Sequence, residues 1–254
     1  MNNMDYIKKG NLKIDKQIDR RICENELWDI LVETVHSLTM YPHHKAYLIE
    51  KILPENPLIT PKELSNRLSI PLGEAIVLLY ELRITAKELE EEIKKPLPEN
   101  KKYSKVALGG TFNEIHYGHL SLLWTAFKNG EKVLIGLTSD DFAKNFKKYS
   151  VKPYSERLKN LKETLKKYNW LEASEIVIIN DAYGPSIIDP TLDAIIVSPF
   201  TAGVANEINR LRIEKLLKPL EIEICPLVLA EDGKPISSTR IISGEITFNG
   251  KIIK

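Results

Sequence analysis

The sequence predicts an α/β protein: a Rossmann-like domain built on a parallel five-stranded sheet, preceded by a small all-α domain of helix-turn-helix-like pattern. Three observations carry this. The first hundred residues show helical apolar spacing and helix caps. From Val106 onward, short unbroken apolar runs alternate with amphipathic stretches, as in parallel sheets covered on both faces. Between the two patterns lies Pro96-Leu97-Pro98-Glu99-Asn100-Lys101-Lys102, a stiff polar stretch suited to a linker. The expected division is residues 1–95, an all-helical domain without an assigned role, a linker at 96–104, and residues 105–254.

The helices follow in order. Glu26 to Leu38 sets Leu27, Ile30, Leu31, Val35 and Leu38 on one apolar stripe, and a second helix follows Pro42. Thr60-Pro61-Lys62-Glu63 reads as a capping box with proline at the first helical position, opening a helix to about Leu68. Pro71 starts another, carrying Ala75, Ile76, Leu78, Leu79 and Leu82. Thr85-Ala86-Lys87-Glu88 repeats the capping box and opens an acidic helix. Strands are expected at Val106–Leu108, Val133–Leu137, Ile176–Ile179, Ala194–Val197 and Ile222–Leu229, with helices at Leu120–Lys128, Glu156–Tyr168 and Val204–Leu217.

Composition narrows the class. No apolar run is long enough to span a bilayer and Met1-Asn2-Asn3-Met4-Asp5 lacks a signal-peptide core, so a cytoplasmic protein is expected. Cys23 and Cys225 form no disulfide or metal-knuckle pattern. Gln17 is the only glutamine amid abundant Lys, Glu and Ile, a thermophile-like bias. Residues 1–100 carry 14 Lys and Arg against 17 Asp and Glu; residues 101–254 carry 22 against 18. The mild positive excess of the second half suits a local anionic site and not a nucleic-acid stripe.

Two stretches of that half fit phosphate. Gly109-Gly110-Thr111-Phe112-Asn113-Glu114-Ile115-His116-Tyr117-Gly118-His119 sits between a strand and a helix, where amides, the helix dipole and two imidazoles would meet an anion. His116 and His119 read as a phosphate pair, as ordinary helix-start residues, or as zinc ligands; no third ligand completes a zinc set, and no metal site is assigned. Ile236-Ser237-Ser238-Thr239-Arg240 offers three hydroxyls and a guanidinium at a second helix start, or a plain N-cap. Lys144, Lys147 and Lys148 follow the second strand in what reads as a loop. Neither a Walker loop nor a dinucleotide-binding glycine turn is present.

With these blocks in place, residues 105–246 resemble the His-x-Gly-His nucleotidyltransferases, and among them the phosphopantetheine adenylyltransferases of the archaeal and eukaryotic type. The likeness also takes in Leu137-Thr138-Ser139-Asp140, Pro153-Tyr154-Ser155-Glu156-Arg157, Asp181-Ala182-Tyr183-Gly184-Pro185 and Ala230 through Ile241. It implies transfer of the adenylyl group of ATP to 4′-phosphopantetheine, with Mg²⁺, in coenzyme A biosynthesis. By the resemblance His119 would stabilise charge at the α-phosphate, His116 would contact the triphosphate, and Thr111 would hold an oxygen near the reacting centre. Gly109, Gly110 and Phe112 belong to the same nucleotide-binding turn. Ser237, Ser238 and Thr239 would hold the β- and γ-phosphates, and Arg240 and Lys144 (Lys147 if the register differs) would neutralise developing charge. The sequence departs from the family pattern at Asn113, at Pro199-Phe200 and at Ile242.

Two other readings compete. One is a nucleotidyltransferase using CTP or ATP on another phosphorylated acceptor. The other is a nucleotide-sensing regulator binding DNA through Pro61–Leu68 and Pro71–Leu82, disfavoured because the would-be recognition helix carries Glu74 and Glu81 against Arg83 alone. Homo-oligomerisation through the N-terminal domain is compatible with the helical pattern.

Overall fold

The computed structural model describes residues 27–146 and 149–253. The chain forms two compact units that part between Arg83 and Ile84.

The first unit is helical: α1 (Leu27–His36), α2 (Tyr41–Tyr47), a widened turn at Leu48–Ile52 running into α3 (Leu53–Glu55), α4 (Pro61–Leu68) and α5 (Leu72–Leu82). The Thr60 capping box forms as expected, with Thr60 Oγ1 accepting from the Glu63 amide and the Glu63 carboxylate accepting from the Thr60 amide. Thr60→Ala is expected to cost about 1 kcal/mol of stability, read as a lower denaturant midpoint at unchanged slope. The α1 stripe differs from expectation. Trp28 and Val35 are its buried residues, whereas Leu27, Ile30 and Leu38 stay exposed. Trp28 meets the Tyr80 ring edge-on at 4.7 Å, so the aromatic sets the inward face. Glu26 lies outside the described residues.

Helix α5 decides against the DNA-binding reading. Glu74 through Leu79 are buried without interruption, as is Leu82. A recognition helix must present one face to a groove; this one is a core helix on nearly all sides.

The second unit opens with α6 (Ala86–Lys94), capped by Thr85 and Glu88 in a second capping box. Leu89 is fully buried in the core of this unit and Ile93 packs against it, so α6 belongs to the α/β body although it precedes the proline-rich stretch. The sheet contains β1 (Tyr103–Gly110), β2 (Gly130–Thr138), β3 (Ser174–Ile179), β4 (Ala194–Val197) and β5 (Glu221–Ile224). All pairs are parallel and the order is β3-β2-β1-β4-β5, with Val106 level with Val133 on one side and Ala194 on the other. The connecting helices are α7 (Tyr117–Asn129), α8 (Asp140–Phe146), α9 (Tyr154–Lys167) and α10 (Ala202–Glu214). The chain first builds outward from β1 through β2 to β3, then returns to the other side of β1 for β4. That reversal leaves a crevice beyond the carboxyl ends of β1 and β4.

Two expectations change. The single strand Ile222–Leu229 is two, β5 and β6 (Leu227–Leu229), because Pro226 has no N–H for a ladder. The residues around Lys144 form α8 and not a loop; Ser139 starts it, its hydroxyl accepting from the Phe142 amide. Among the described residues no helix is long and apolar enough to cross a membrane.

Candidate active site

A cavity of about 430 Å³ opens at the reversal point of the sheet. One wall is the end of β1 and the turn after it, Gly109 through Asn113, with His116, Gly118 and His119. The other side is Ile195 to Ser198 on and after β4, with Phe200 beyond it. Ser237 and Ser238 close one end. The two motifs, over a hundred residues apart in the chain, thus face one space.

The turn is tightly specified. Phe112 is fully buried with φ of 47°, a left-handed conformation that its packing must hold in place. Its ring lies over Gly110, where a Cβ would stand 2.8 Å from Phe112 Cε2, so only glycine admits this fold-back. At Gly118 a Cβ would meet the His116 ring at 3.0 Å and the Ile236 carbonyl at 3.3 Å. That glycine lets the segment before Ser237 approach the start of α7.

The two histidines differ in chemistry. The Gly118 N–H donates to His116 Nδ1 at 3.1 Å, so Nδ1 carries no proton. Burial, reinforced by the charge His119 can carry, holds the His116 pKa well below the ordinary imidazole range. His116 is therefore neutral with its proton on Nε2, which donates to Ser238 Oγ at 3.1 Å. His119 is oriented oppositely: Nδ1–H donates to the Glu114 carbonyl at 3.1 Å. The rings stack with centroids 4.0 Å apart, and Phe112 lies 4.9 Å from His119 on the other side. Two imidazoles so close do not share a double positive charge.

Arg157 is the main residue that the motif reading left without a role. Its side chain is fully buried. Nη1 donates to the Thr111 carbonyl at 2.9 Å and to Thr138 Oγ1 at 3.3 Å, Nε to the Lys152 carbonyl at 2.8 Å, and Nη2 to Asp140 Oδ1 at 2.9 Å. One guanidinium thereby ties the turn after β1, the end of β2, the start of α8 and the loop before α9. The sequence does carry a signal for it. Arg157 shares the buried stripe of α9 with Leu161 and Leu165, and a charge on an apolar stripe must find partners inside.

The remaining expected residues divide. Gly109, Gly110, Thr111, Phe112, His116, His119, Ser237 and Ser238 line the cavity. Ser237 Oγ caps the short helix α11 (Ser238–Ile242) by accepting from the Arg240 amide at 3.4 Å. Thr239 and Arg240 lie off the cavity wall. The Arg240 guanidinium donates to Asp232 at 2.5 Å and Glu245 at 3.1 Å, two carboxylates that occupy it in this conformation. Lys144 is exposed on α8 and also off the wall. Lys147 and Lys148 are outside the described residues. Among the described residues no cluster of three or more His, Cys, Asp or Glu side chains could hold a metal ion. Of the departures, Asn113 and Phe200 line the cavity, and Ile242 does not. Cys225 also lines it; burial pushes its thiol up to about 12, making it a neutral wall residue and not a nucleophile.

Comparison with known proteins agrees with this geometry. The cytidylyltransferase-like family matches residues 107–244, which hold both motifs, the end of β1 and the other four strands of the sheet. A phosphopantetheine adenylyltransferase of Methanothermobacter thermautotrophicus is 46% identical over 154 residues, 61% of this chain and 92% of that protein. The chain belongs to the phosphopantetheine adenylyltransferase branch of the cytidylyltransferase-like family. Proteins of the same description from Methanosarcina mazei and Methanopyrus kandleri are 47% and 41% identical, over 59% and 57% of this chain and 97% and 92% of their own lengths. Membership makes the chain a nucleotidyltransferase. Residues 1–106 lie outside the family match.

Proposed function

We propose that this protein is a cytoplasmic enzyme of coenzyme A synthesis that transfers the adenylyl group of ATP to 4′-phosphopantetheine. An oxygen of the acceptor phosphate attacks the α-phosphorus of ATP. The new P–O bond forms as the bond from the α-phosphorus to the bridging oxygen breaks, giving dephospho-coenzyme A and pyrophosphate. The observation that supports this most is the meeting of the stacked histidines and the serine turn in one cavity at the sheet reversal.

The acceptor is already an anion and needs no general base, so the protein's task is alignment and charge stabilisation. His119, protonated on Nε2, donates to an α-phosphate oxygen as charge grows there. Neutral His116 holds the Ser238 hydroxyl through its one N–H, and that hydroxyl meets the departing phosphates without adding a second positive charge. Thr111 holds an oxygen at the reacting centre, its carbonyl pinned by Arg157. Arg240 reaches the β- and γ-phosphates by exchanging Asp232 and Glu245 for phosphate oxygens, one anionic partner for another. Lys144 holds no place in this step. Mg²⁺ would enter with ATP as part of the substrate, held by phosphate oxygens and water.

The test is pyrophosphate release by the purified protein with ATP, Mg²⁺ and 4′-phosphopantetheine. Release is expected only with the acceptor present and is expected to fall sharply when CTP replaces ATP. Release that follows glycerol 3-phosphate or a mononucleotide, and not 4′-phosphopantetheine, would replace the acceptor assignment.

A further inference from the structure

Asn113 lines the cavity, is only 3% exposed, and is one of the positions where the sequence departs from the family pattern. Both ends of its amide are used. Nδ2 donates to the Ser150 carbonyl at 3.2 Å, and Oδ1 accepts from the Lys152 N–H at 2.7 Å. These partners fix which end is which, because a carbonyl only accepts and a backbone N–H only donates. A carboxylate here would keep the Lys152 bond, lose the Ser150 bond and set a negative oxygen against that carbonyl. The amide is therefore matched to the segment entering α9 in a way that a carboxylate is not.

Lys152 is the anchor on that segment, and each of its polar groups is engaged. Its N–H meets Asn113, and its carbonyl accepts from Arg157 Nε at 2.8 Å. Its ammonium lies 2.9 Å from the Glu114 carboxylate and 3.3 Å from that of Glu156. The turn before the histidines is thus tied to one residue through both Asn113 and Glu114, while Arg157 holds the Thr111 carbonyl at 2.9 Å. Between these tethers sits Phe112, whose φ of 47° is unfavourable for a residue with a side chain and must be imposed by its surroundings.

The tethers converge on His119. Its Nδ1–H donates at 3.1 Å to the carbonyl of Glu114, the residue after Asn113. Its ring lies 4.9 Å from that of Phe112, the residue before Asn113. The two neighbours of Asn113 therefore set the tautomer and the orientation of this imidazole.

We propose that Asn113 is a positioning residue for adenylyl transfer: by anchoring the turn to Ser150 and Lys152, it holds the Phe112 ring and the Glu114 carbonyl where they orient His119. This rests on the reading that His119 acts at the reacting phosphate.

The experiment pairs steady-state pyrophosphate release, with ATP, Mg²⁺ and 4′-phosphopantetheine, with NMR of the histidine rings. It compares wild type, Asn113→Asp and Asn113→Ala at a temperature where melting curves show each to be folded. The alanine variant removes both bonds without adding charge, which keeps the test open if the aspartate variant does not fold. His119 signals are assigned by their loss in His119→Asn. Both substitutions are expected to lower kcat about 10-fold or more and to leave the KM for ATP within about twofold, because a misplaced donor is felt most at the reacting centre. The Nδ1–H tautomer of His119 is expected to lose population in both. A kcat within about twofold of wild type, a loss confined to the KM for ATP, or an unchanged His119 tautomer would overturn the proposal. Wild-type protein that binds ATP but releases no pyrophosphate overturns the acceptor assignment alone, and the His119 tautomer in the two variants then still decides this inference.

Discussion

His119→Ala is expected to lower kcat for pyrophosphate release about 10²–10³-fold while changing the KM for ATP far less. Losing one preorganised donor at the developing charge costs about 2.7–4 kcal/mol in other enzymes, and the effect falls on kcat because the donor acts most strongly in the transition state. The geometry supplies a control. His119→Asn places an amide nitrogen near the Nδ1 position and preserves the donor to the Glu114 carbonyl, yet offers nothing at Nε2. It is expected to fold as well as wild type and to be about as inactive as the alanine variant. Steady-state rates with saturating acceptor decide the matter. A fall of less than about tenfold in both variants would remove His119 from the reacting phosphate.

Arg157→Met should produce the largest loss of stability of any single change near the site. Methionine keeps much of the buried stem and removes the whole fork. The carbonyls of Thr111 and Lys152, partly buried, and the buried hydroxyl of Thr138 then lose their donor. Each unpaired buried group costs on the order of 1 kcal/mol or more, so a total near 3 kcal/mol is expected; the Asp140 contact adds little because that carboxylate is 41% exposed. The melting temperature should fall by roughly 6–12 °C on the scale of 2–4 °C per kcal/mol. Below the transition, ATP affinity should fall too, since Thr111 is no longer held against the end of β2. Arg157→Lys should recover little, because a single ammonium cannot span the positions that Nε, Nη1 and Nη2 reach. A variant that melts within a degree or two of wild type would show the fork to be dispensable.

Much of this protein was legible from local signals. The capping boxes at Thr60 and Thr85 depend on residues three apart, and both form with the hydrogen bonds their spacing implies. Continuous apolar runs gave the five parallel strands, because a strand covered on both faces has no polar side to alternate with. The glycines of the first motif were visible for the same reason: Gly110 and Gly118 sit where a side chain would collide within a few residues or with the incoming Ile236 segment. The nucleotidyltransferase motifs themselves are short and ordered along the chain, so the pairing of Gly109–His119 with Ile236–Arg240 needed no coordinates.

What the sequence alone could not decide are matters of competition and direction. Whether Arg240 faces phosphate or carboxylate depends on Asp232 and Glu245 arriving beside it through the fold. Which imidazole stays neutral depends on the burial of His116 and on which ring nitrogen the Gly118 amide reaches. The inward face of α1 went to Trp28 because Tyr80, more than fifty residues later, packs against it. Arg157 and Arg212 make the same point. Each sits on an apolar helical stripe, Arg212 in line with Ala205 and Ile208. The stripe announces a buried charge but cannot name its partners. For Arg157 these are the carbonyls of Thr111 and Lys152; for Arg212 they are the carbonyls of Ser186, Asp189 and Lys218. Sequence periodicity fixes which side of an element turns inward, since that depends on neighbours a few residues away. The partner a buried polar group meets there is set by chain segments brought from far along the sequence, and only the tertiary structure decides it.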